Sequence, residues 1–363
     1  MIFHQVSVNG SPPLWFALDT GASFPFVIDT RRAKALAIQV QSKVKSEGGA
    51  GQGSFDIGFA EDVSLNLSGI AFPNQRVAVI DPHDLESVIG RPLDGLIGRP
   101  LLNRFVVEID YFANRTRLYD PATYTYSGSG ESLPLELDGD HVFVAVKITM
   151  PGGDPTEGRF LVDTGGAMTT ALMTKRFAES HKLLEHAGKT ITDRSLPALG
   201  GDLDLLVTRG KALQLGHIVI QDPIITLSQH SAGALAGGFD GVIGGELLRR
   251  FKVIFDSARR RLILEPNAHL GEACEYNMSG MMLRAEGKDL KSLRVHRIIK
   301  DSPAEKAGLQ EGDRLVRIDG KDAKQFTMDE IDEMSKKAGR NILLRIVRGS
   351  KELEFNVPMR RLI

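Results

Sequence analysis

Two copies of one acidic triplet carry the chemistry of this sequence. Asp19-Thr20-Gly21 closes the apolar run Phe16-Ala17-Leu18, and Asp163-Thr164-Gly165 closes Phe160-Leu161-Val162. In each copy the aspartate leaves a β layer into a turn that Gly21 or Gly165 permits, so its carboxylate is presented at the end of the layer. If the two turns meet, carboxylates about 3 Å apart cannot both ionise cheaply. One pKa then rises, and the pair holds a single proton over a wide acidic range. The ionised member takes a proton from a bound water while the protonated one donates to a carbonyl oxygen, which hydrolyses an amide without a covalent enzyme intermediate.

A lone Asp-Thr-Gly arises by chance in roughly one chain in ten of this size. A second repeated block removes that ambiguity. Asp94-Gly95-Leu96-Ile97-Gly98-Arg99-Pro100-Leu101-Leu102-Asn103-Arg104-Phe105-Val106-Val107-Glu108-Ile109-Asp110 aligns without gaps to the stretch from Asp240-Gly241-Val242-Ile243-Gly244 through Asp256, with ten of seventeen positions identical. Triplet and block lie 75 residues apart in the first half and 77 in the second. The halves are duplicates at the level of the fold, and Asp19 and Asp163 are expected side by side across a pseudo-dyad.

These paired motifs resemble the aspartic protease superfamily over residues 1–267. Asp19-Thr20-Gly21-Ala22-Ser23 and Ile97-Gly98-Arg99-Pro100-Leu101-Leu102 point to its retropepsin-like branch. The resemblance implies an aspartic endopeptidase without a cofactor, in which Asp19 and Asp163 are the catalytic pair and Thr20 and Thr164 brace each other beneath it. Gly21 and Gly165 would form the turns, and Gly98 and Gly244 would mark where each lobe's loop passes close to them. Retropepsins dimerise, whereas this chain holds both halves, so a monomer is expected. The flaps that would cover a polypeptide substrate fall at Gly49-Ala50-Gly51 and at Gly200-Gly201, neither with the tyrosine of pepsin-like flaps. Gly166 stands where Ala, Ser or Thr is usual, and these departures leave a catalytically inactive peptide-binding protein as the alternative. Neither Ala22 nor Gly166 supplies a hydroxyl to the ionised carboxylate, so the dyad should titrate high and work at mildly acidic to neutral pH.

The elements that must position these groups are short apolar strands punctuated by Gly, Pro, Asn and Asp, such as Val77-Ala78-Val79-Ile80 and Val142-Phe143-Val144-Ala145-Val146. Helices are expected at 30–38, 174–186, 101–105 and 247–251. The expected architecture is mainly β: two pseudo-symmetric acid-protease β-barrel lobes, 1–123 and 132–267, joined by a linker at 124–131 and followed by a small α+β domain at 278–363. Lobe two has an apolar segment, Leu133-Pro134-Leu135-Glu136-Leu137, with no counterpart in lobe one. We therefore expect a native start upstream of Met1, with a further strand and a signal peptide. Trp15 and Phe16 read as core, Arg259-Arg260-Arg261 as a solvated turn, and 274–278 as a hinge.

The last 85 residues carry net charge +5, against −6 for the rest. Within them Asp301-Ser302-Pro303-Ala304-Glu305-Lys306-Ala307-Gly308-Leu309 reads as a helix capped by Ser302, opened by Pro303 and ended by Gly308. With Gly312-Asp313 and Asp319-Gly320 as turns, this stretch resembles the PDZ domains of bacterial proteases. That resemblance places the carboxylate-binding loop at Gly280-Met281-Met282-Leu283, whose exposed N–H groups would hold a C-terminal or extended peptide. It also points to the periplasm or bacterial envelope if a signal peptide precedes this sequence, and otherwise to the cytoplasm.

Composition closes other routes. Lys plus Arg number 45 against 46 Asp plus Glu, a net charge of −1 that leaves no footprint for nucleic acid. No apolar run approaches the roughly 18 residues of a membrane span. The single cysteine, Cys274, excludes an internal disulfide and Cys-rich metal sites. The nine histidines lack metal-binding spacing, no G-x-S-x-G is present, and Gly188-Lys189-Thr190 reads as a helix end rather than a phosphate loop.

Overall fold

A computed structural model describes the chain except residues 48–53, 167, 199–200, 232–234 and 236. The duplicated halves fold into sheets with matching core register. In lobe one, strand Leu14–Leu18 runs parallel to Gly95–Ile97, pairing Phe16 with Gly95 and Leu18 with Ile97. In lobe two, Thr156–Val162 runs parallel to Gly241–Ile243, pairing Phe160 with Gly241 and Val162 with Ile243. Six of the seven strands of lobe one close on themselves because Ile2–Val8 pairs with both Leu14–Leu18 and Ser54–Leu67, and Ser42–Glu47 lies outside the ring on Ser54–Leu67. The larger sheet of lobe two is built around the same four inner strands.

The conserved-looking spacing of the Asp-Gly blocks has a structural cause of its own. The Asp94 carboxylate accepts from the Trp15 N–H at 2.7 Å, and that of Asp240 accepts from the Arg159 N–H at 2.9 Å. Each acid thereby anchors the backbone of the strand that leads into Asp-Thr-Gly. Arg32 and Arg176 neutralise these two acids, at 2.5 and 2.9 Å.

A third sheet joins the lobes. Its order is Glu131–Pro134, Arg261–Pro266, Phe251–Asp256, Val106–Asp110 and Arg115–Tyr119, and its central pair, Val253 against Ile109, crosses the pseudo-dyad. One apolar core, including Phe16, Val107, Phe160, Val253 and Phe255, runs through both lobes beneath this sheet. The C-terminal domain has its own core around Ala285, Leu293, Val295, Leu315, Ile346 and Val357, formed by a six-stranded sheet with helices Pro303–Ala307 and Met328–Ser335. Ser302 caps the first of these helices and Gly308 ends it at φ +96°.

Several expectations are corrected. Three helices are shorter than read, Thr30–Ala35, Lys175–Ser180 and Gly245–Leu248, while Pro100–Arg104 keeps the expected length and starts one residue earlier. Leu133 to Leu137 is split between two sheets, as Glu131–Pro134 and Glu136–Asp138. Trp15 is 41% exposed, since alternation along its strand turns Phe16 inward and Trp15 outward. The expected linker packs: Tyr124 and Tyr126 cover Val106, Ile254 and Ile263, and the Tyr126 hydroxyl accepts from the Gly130 N–H at 2.6 Å. In the arginine turn, Arg259 and Arg261 both pair with the fully buried Asp256.

The proposed hinge at 274–278 is pinned as well. Arg250, 2% exposed, donates to the carbonyls of His269, Leu270 and Glu272 at 3.1, 3.2 and 2.6 Å and to the Cys274 sulfur at 3.3 Å. The Tyr276 hydroxyl donates to Asp193 of lobe two at 2.5 Å.

Candidate active site at the junction of the lobes

Each Asp-Thr-Gly turn follows its strand directly: the Asp19 N–H donates to Ile97 O and the Asp163 N–H to Ile243 O, both at 2.9 Å. Beneath the acids the threonines exchange bonds between lobes. Thr20 N–H donates to Thr164 Oγ1 and Thr164 N–H to Thr20 Oγ1, each at 3.1 Å. The hydroxyls donate onward, Thr20 to Val162 O at 2.5 Å and Thr164 to Leu18 O at 2.8 Å. Both threonines are 1% exposed, so four cross-lobe hydrogen bonds are shielded from water and set the two turns in fixed relation.

That relation brings Asp19 and Asp163 together. A Cβ placed on Gly165 would stand 2.4 Å from Asp19 Cγ, and one on Gly21 would stand 2.6 Å from Asp163 Cγ, so each carboxylate lies against the other lobe's glycine. The N–H of Gly21 donates to Asp19 Oδ1 at 2.9 Å and that of Gly165 to Asp163 Oδ1 at 2.8 Å. Burial, then the charge and hydrogen bond of Asp163, hold Asp19 well above the usual carboxylate range. Burial also raises Asp163, but N–H groups of Gly165 and Gly166, the Asp19 side chain and the Gly21 N–H draw it back. Burial thus raises both carboxyls, the direction expected of a pair that holds one proton between them. Both side chains keep part of their surface open to solvent.

Gly98 and Gly244 support the turns by close approach. A Cβ on Gly98 would meet Phe24 O at 2.6 Å, and one on Gly244 would meet Gly166 O at 2.3 Å. Of the flap residues, Gly49, Ala50, Gly51 and Gly200 lie outside the described residues. Gly201 lies in the short pair Pro197–Ala198 with Gly201–Asp202.

Two neighbours escaped the sequence reading because only the fold brings them near. His141, opening a lobe-two strand, sets Nε2 3.3 Å from Gly21 O across the lobe boundary. The hydroxyl of the half-buried Tyr111 is shielded from solvent and without a hydrogen-bond partner, and burial followed by the charge of Asp163 pushes its pKa upward. Among the described residues one acidic group is tight enough for a metal, Glu246, Asp332 and Glu333, and the Lys336 ammonium pairs with all three at 3.2, 2.7 and 3.6 Å. No helix among them is long and apolar enough to cross a membrane.

In the C-terminal domain, Met281, Met282 and Leu283 open an edge strand, Met281–Glu286, which Gly280 precedes. The N–H groups of this loop are nevertheless paired internally. Asn277 Oδ1 accepts from Ser279 N at 2.9 Å, Gly280 N at 3.0 Å and Ser279 Oγ at 2.6 Å, while the Met281 N–H donates to Ser279 Oγ at 3.0 Å. The Gly280 and Met281 N–H groups, expected from sequence to be open, are thus taken by the Asn277 carboxamide and the Ser279 hydroxyl.

Fold and site together define a two-lobed, mainly β protein in which two carboxylates, one from each lobe, meet at the pseudo-dyad. Comparison with known families agrees: residues 4–101 match the model described as aspartyl protease, and residues 275–347 match that of the PDZ domain. The chain joins an aspartyl-protease-like domain at its N-terminus to a PDZ domain at its C-terminus. It is 35% identical over 79 residues to a probable CtpA-like serine protease of Staphylococcus haemolyticus, a match covering 22% of this chain and 16% of that protein. Among solved structures it is similar to a photosystem II D1 C-terminal processing protease, at 20% identity over 26% of each chain with a TM-score of 0.24. The chain thus spans about a sixth of the length of the first relative and a quarter of the second.

Proposed function

We propose that the protein is an aspartic endopeptidase acting on extended polypeptide, with Asp163 as general base and Asp19 as general acid. The observation that carries this reading is the meeting of two carboxylates, one from each lobe, each lying against the other lobe's glycine, with burial raising both. Asp163 takes a proton from a water between the pair, and the resulting hydroxide attacks the scissile carbonyl carbon. Asp19 gives its proton to the carbonyl oxygen, forming a neutral tetrahedral diol. The proton now on Asp163 passes to the departing amine as the C–N bond breaks, and collapse of the diol returns a proton to Asp19. The N–H groups of Gly21 and Gly165 keep each inner oxygen fixed, so the pair meets substrate already oriented. The PDZ domain supplies peptide binding, and no cofactor enters the scheme.

Turnover of an unfolded protein and of a mixed peptide library by wild type, Asp19→Asn and Asp163→Asn tests the proposal. Loss of cleavage in both variants, together with inhibition of wild type by a hydroxyl-bearing peptide isostere, is expected. Equal cleavage by all three overturns it, and peptide binding with no cleavage by any of them favours the non-catalytic alternative.

A further inference from the structure

The PDZ domain does not stand clear of the lobes. Its edge strand Met281–Glu286 and its helix Met328–Ser335 flank the groove into which a peptide would add as a strand. Over that groove lies a lobe-one helix, His83–Ile89, ended by Gly90 at φ +66°. A Cβ on Gly90 would stand 2.5 Å from Met328 Cγ and 3.8 Å from Ala285 Cβ, so the helix end touches both walls. At the carboxylate loop, Asn277 Oδ1 already gathers three donors, the arrangement a terminal carboxylate would need.

Between these two plugs remains a cavity of about 220 Å³, lined by Val88 of the lobe-one helix, Met281, Met282, Ile331 and Met334 of the PDZ domain, and Met168. Met168 lies five residues beyond Asp163, so the cavity borders the lobe-two turn. It exceeds the ~150 Å³ at which an apolar cavity takes up a benzene-sized guest.

One side chain links the groove to both lobes. Arg284, on the edge strand, donates to Asp84 O of lobe one at 3.4 Å, and to Ser195 O and the Asp202 carboxylate of lobe two at 2.9 and 2.7 Å. His296 on the adjacent strand joins Asp202 at 2.8 Å. Arg284 is 8% exposed, which makes this a shielded clasp rather than a surface ion pair.

We infer that the PDZ groove is held shut by the chain's own lobe-one helix, and that a polypeptide C-terminus ending in an apolar residue displaces that helix, loosens the Arg284 clasp between the lobes and accelerates cleavage. The free carboxylate replaces Asn277 Oδ1 on the loop N–H groups, and the last side chain fills the methionine-rich cavity. The chain beyond it pairs with Met281–Glu286 only once the helix has moved. Coupling of this kind is worth roughly 5- to 150-fold and is reciprocal for binding. The rate effect rests on the peptidase reading, whereas the occlusion does not.

The built Gly90 Cβ lies 3.4 Å from Met328 Cβ, close to the roughly 3.5–4.5 Å that a disulfide spans. The full-length chain carrying Gly90→Cys with Met328→Cys therefore locks the groove reversibly. A fluorescein-labelled decapeptide ending in free leucine, read by polarisation, is expected to bind wild type and the reduced double variant. It should fail to bind the oxidised variant, and its C-terminal amide should fail with all three. The unlabelled decapeptide should raise the rate on an internally quenched, C-terminally amidated substrate at least 5-fold, except in the oxidised variant. Asp202→Asn should raise the basal rate and shrink that stimulation, and an isostere bound in the cleft should tighten decapeptide binding by the same factor by which the decapeptide tightens isostere binding. Equal decapeptide binding by oxidised and reduced forms overturns the occlusion. Binding without any rate change, in an enzyme whose turnover Asp19→Asn abolishes, overturns the coupling. Turnover insensitive to Asp19→Asn is instead the failure of the peptidase reading, and the oxidised-against-reduced binding comparison still decides the occlusion.

Discussion

Gly165→Ala is the smallest change that tests whether the two acids work as a pair. The added methyl would lie 2.4 Å from Asp19 Cγ and 2.6 Å from both of its oxygens, where ordinary contact begins at 3.4 Å. Restoring contact distance moves the Asp19 carboxyl about 1 Å, away from Asp163 and off the Gly21 N–H. A misplacement of that size costs on the order of 10²-fold in rate, or about 2.7 kcal/mol of barrier. Gly21→Ala, with its methyl 2.6 Å from Asp163 Cγ, should behave as its mirror image with a somewhat smaller loss. Gly188→Ala, whose methyl would meet nothing within 4 Å, is the control. The assay is kcat/KM on a peptide substrate, with a thermal melt to show that each variant is folded. A folded Gly165→Ala enzyme within twofold of wild type would refute the reasoning that the carboxylates act together.

Thr20→Val removes a donor to Val162 O and an acceptor for the Thr164 N–H at a buried site, and should cost about 2–4 kcal/mol in denaturant titration. Adding Thr164→Val should cost less than the sum of the single changes, because the two hydroxyls belong to one network. Folding raises the pKa of Asp19, so the folded chain holds a proton the unfolded chain has released, and stability falls as pH rises above the ordinary carboxylate range by up to ~1.4 kcal/mol per unit. Asp19→Asn should remove this contribution and leave a protein more stable than wild type at neutral pH, as urea midpoints across the range would record. Arg250→Met strands the carbonyls of His269, Leu270 and Glu272, and should expose 268–278 to limited proteolysis while lowering stability by about 3–5 kcal/mol.

The candidate site was legible because its geometry is local: an aspartate after an apolar strand, with a glycine to turn the chain, is complete within seven residues, and duplication supplied the partner. The second role of Asp94 and Asp240 was not legible, since they anchor Trp15 and Arg159 from 79 and 81 residues away. The exposure of Trp15 could have been read from strand alternation once Phe16 was placed inward. The helix His83–Ile89 was missed, with the PDZ edge strand and helix that it covers lying about 200 residues further along the chain. The segment at 274–278 looked loose for the same reason, as Arg250 and Asp193, which secure it, are remote in sequence.

The sheet shared by the lobes also has a mechanical meaning. With Phe251–Asp256 hydrogen-bonded along Val106–Asp110, the halves are pages sewn to one spine, and neither can slide past the other without tearing four paired residues. Admission of a bulky chain must then come as flexure about that spine. On the peptidase reading, a stiff binding of this sort would return the two acids to register after each opening by elasticity rather than by diffusion and reassembly.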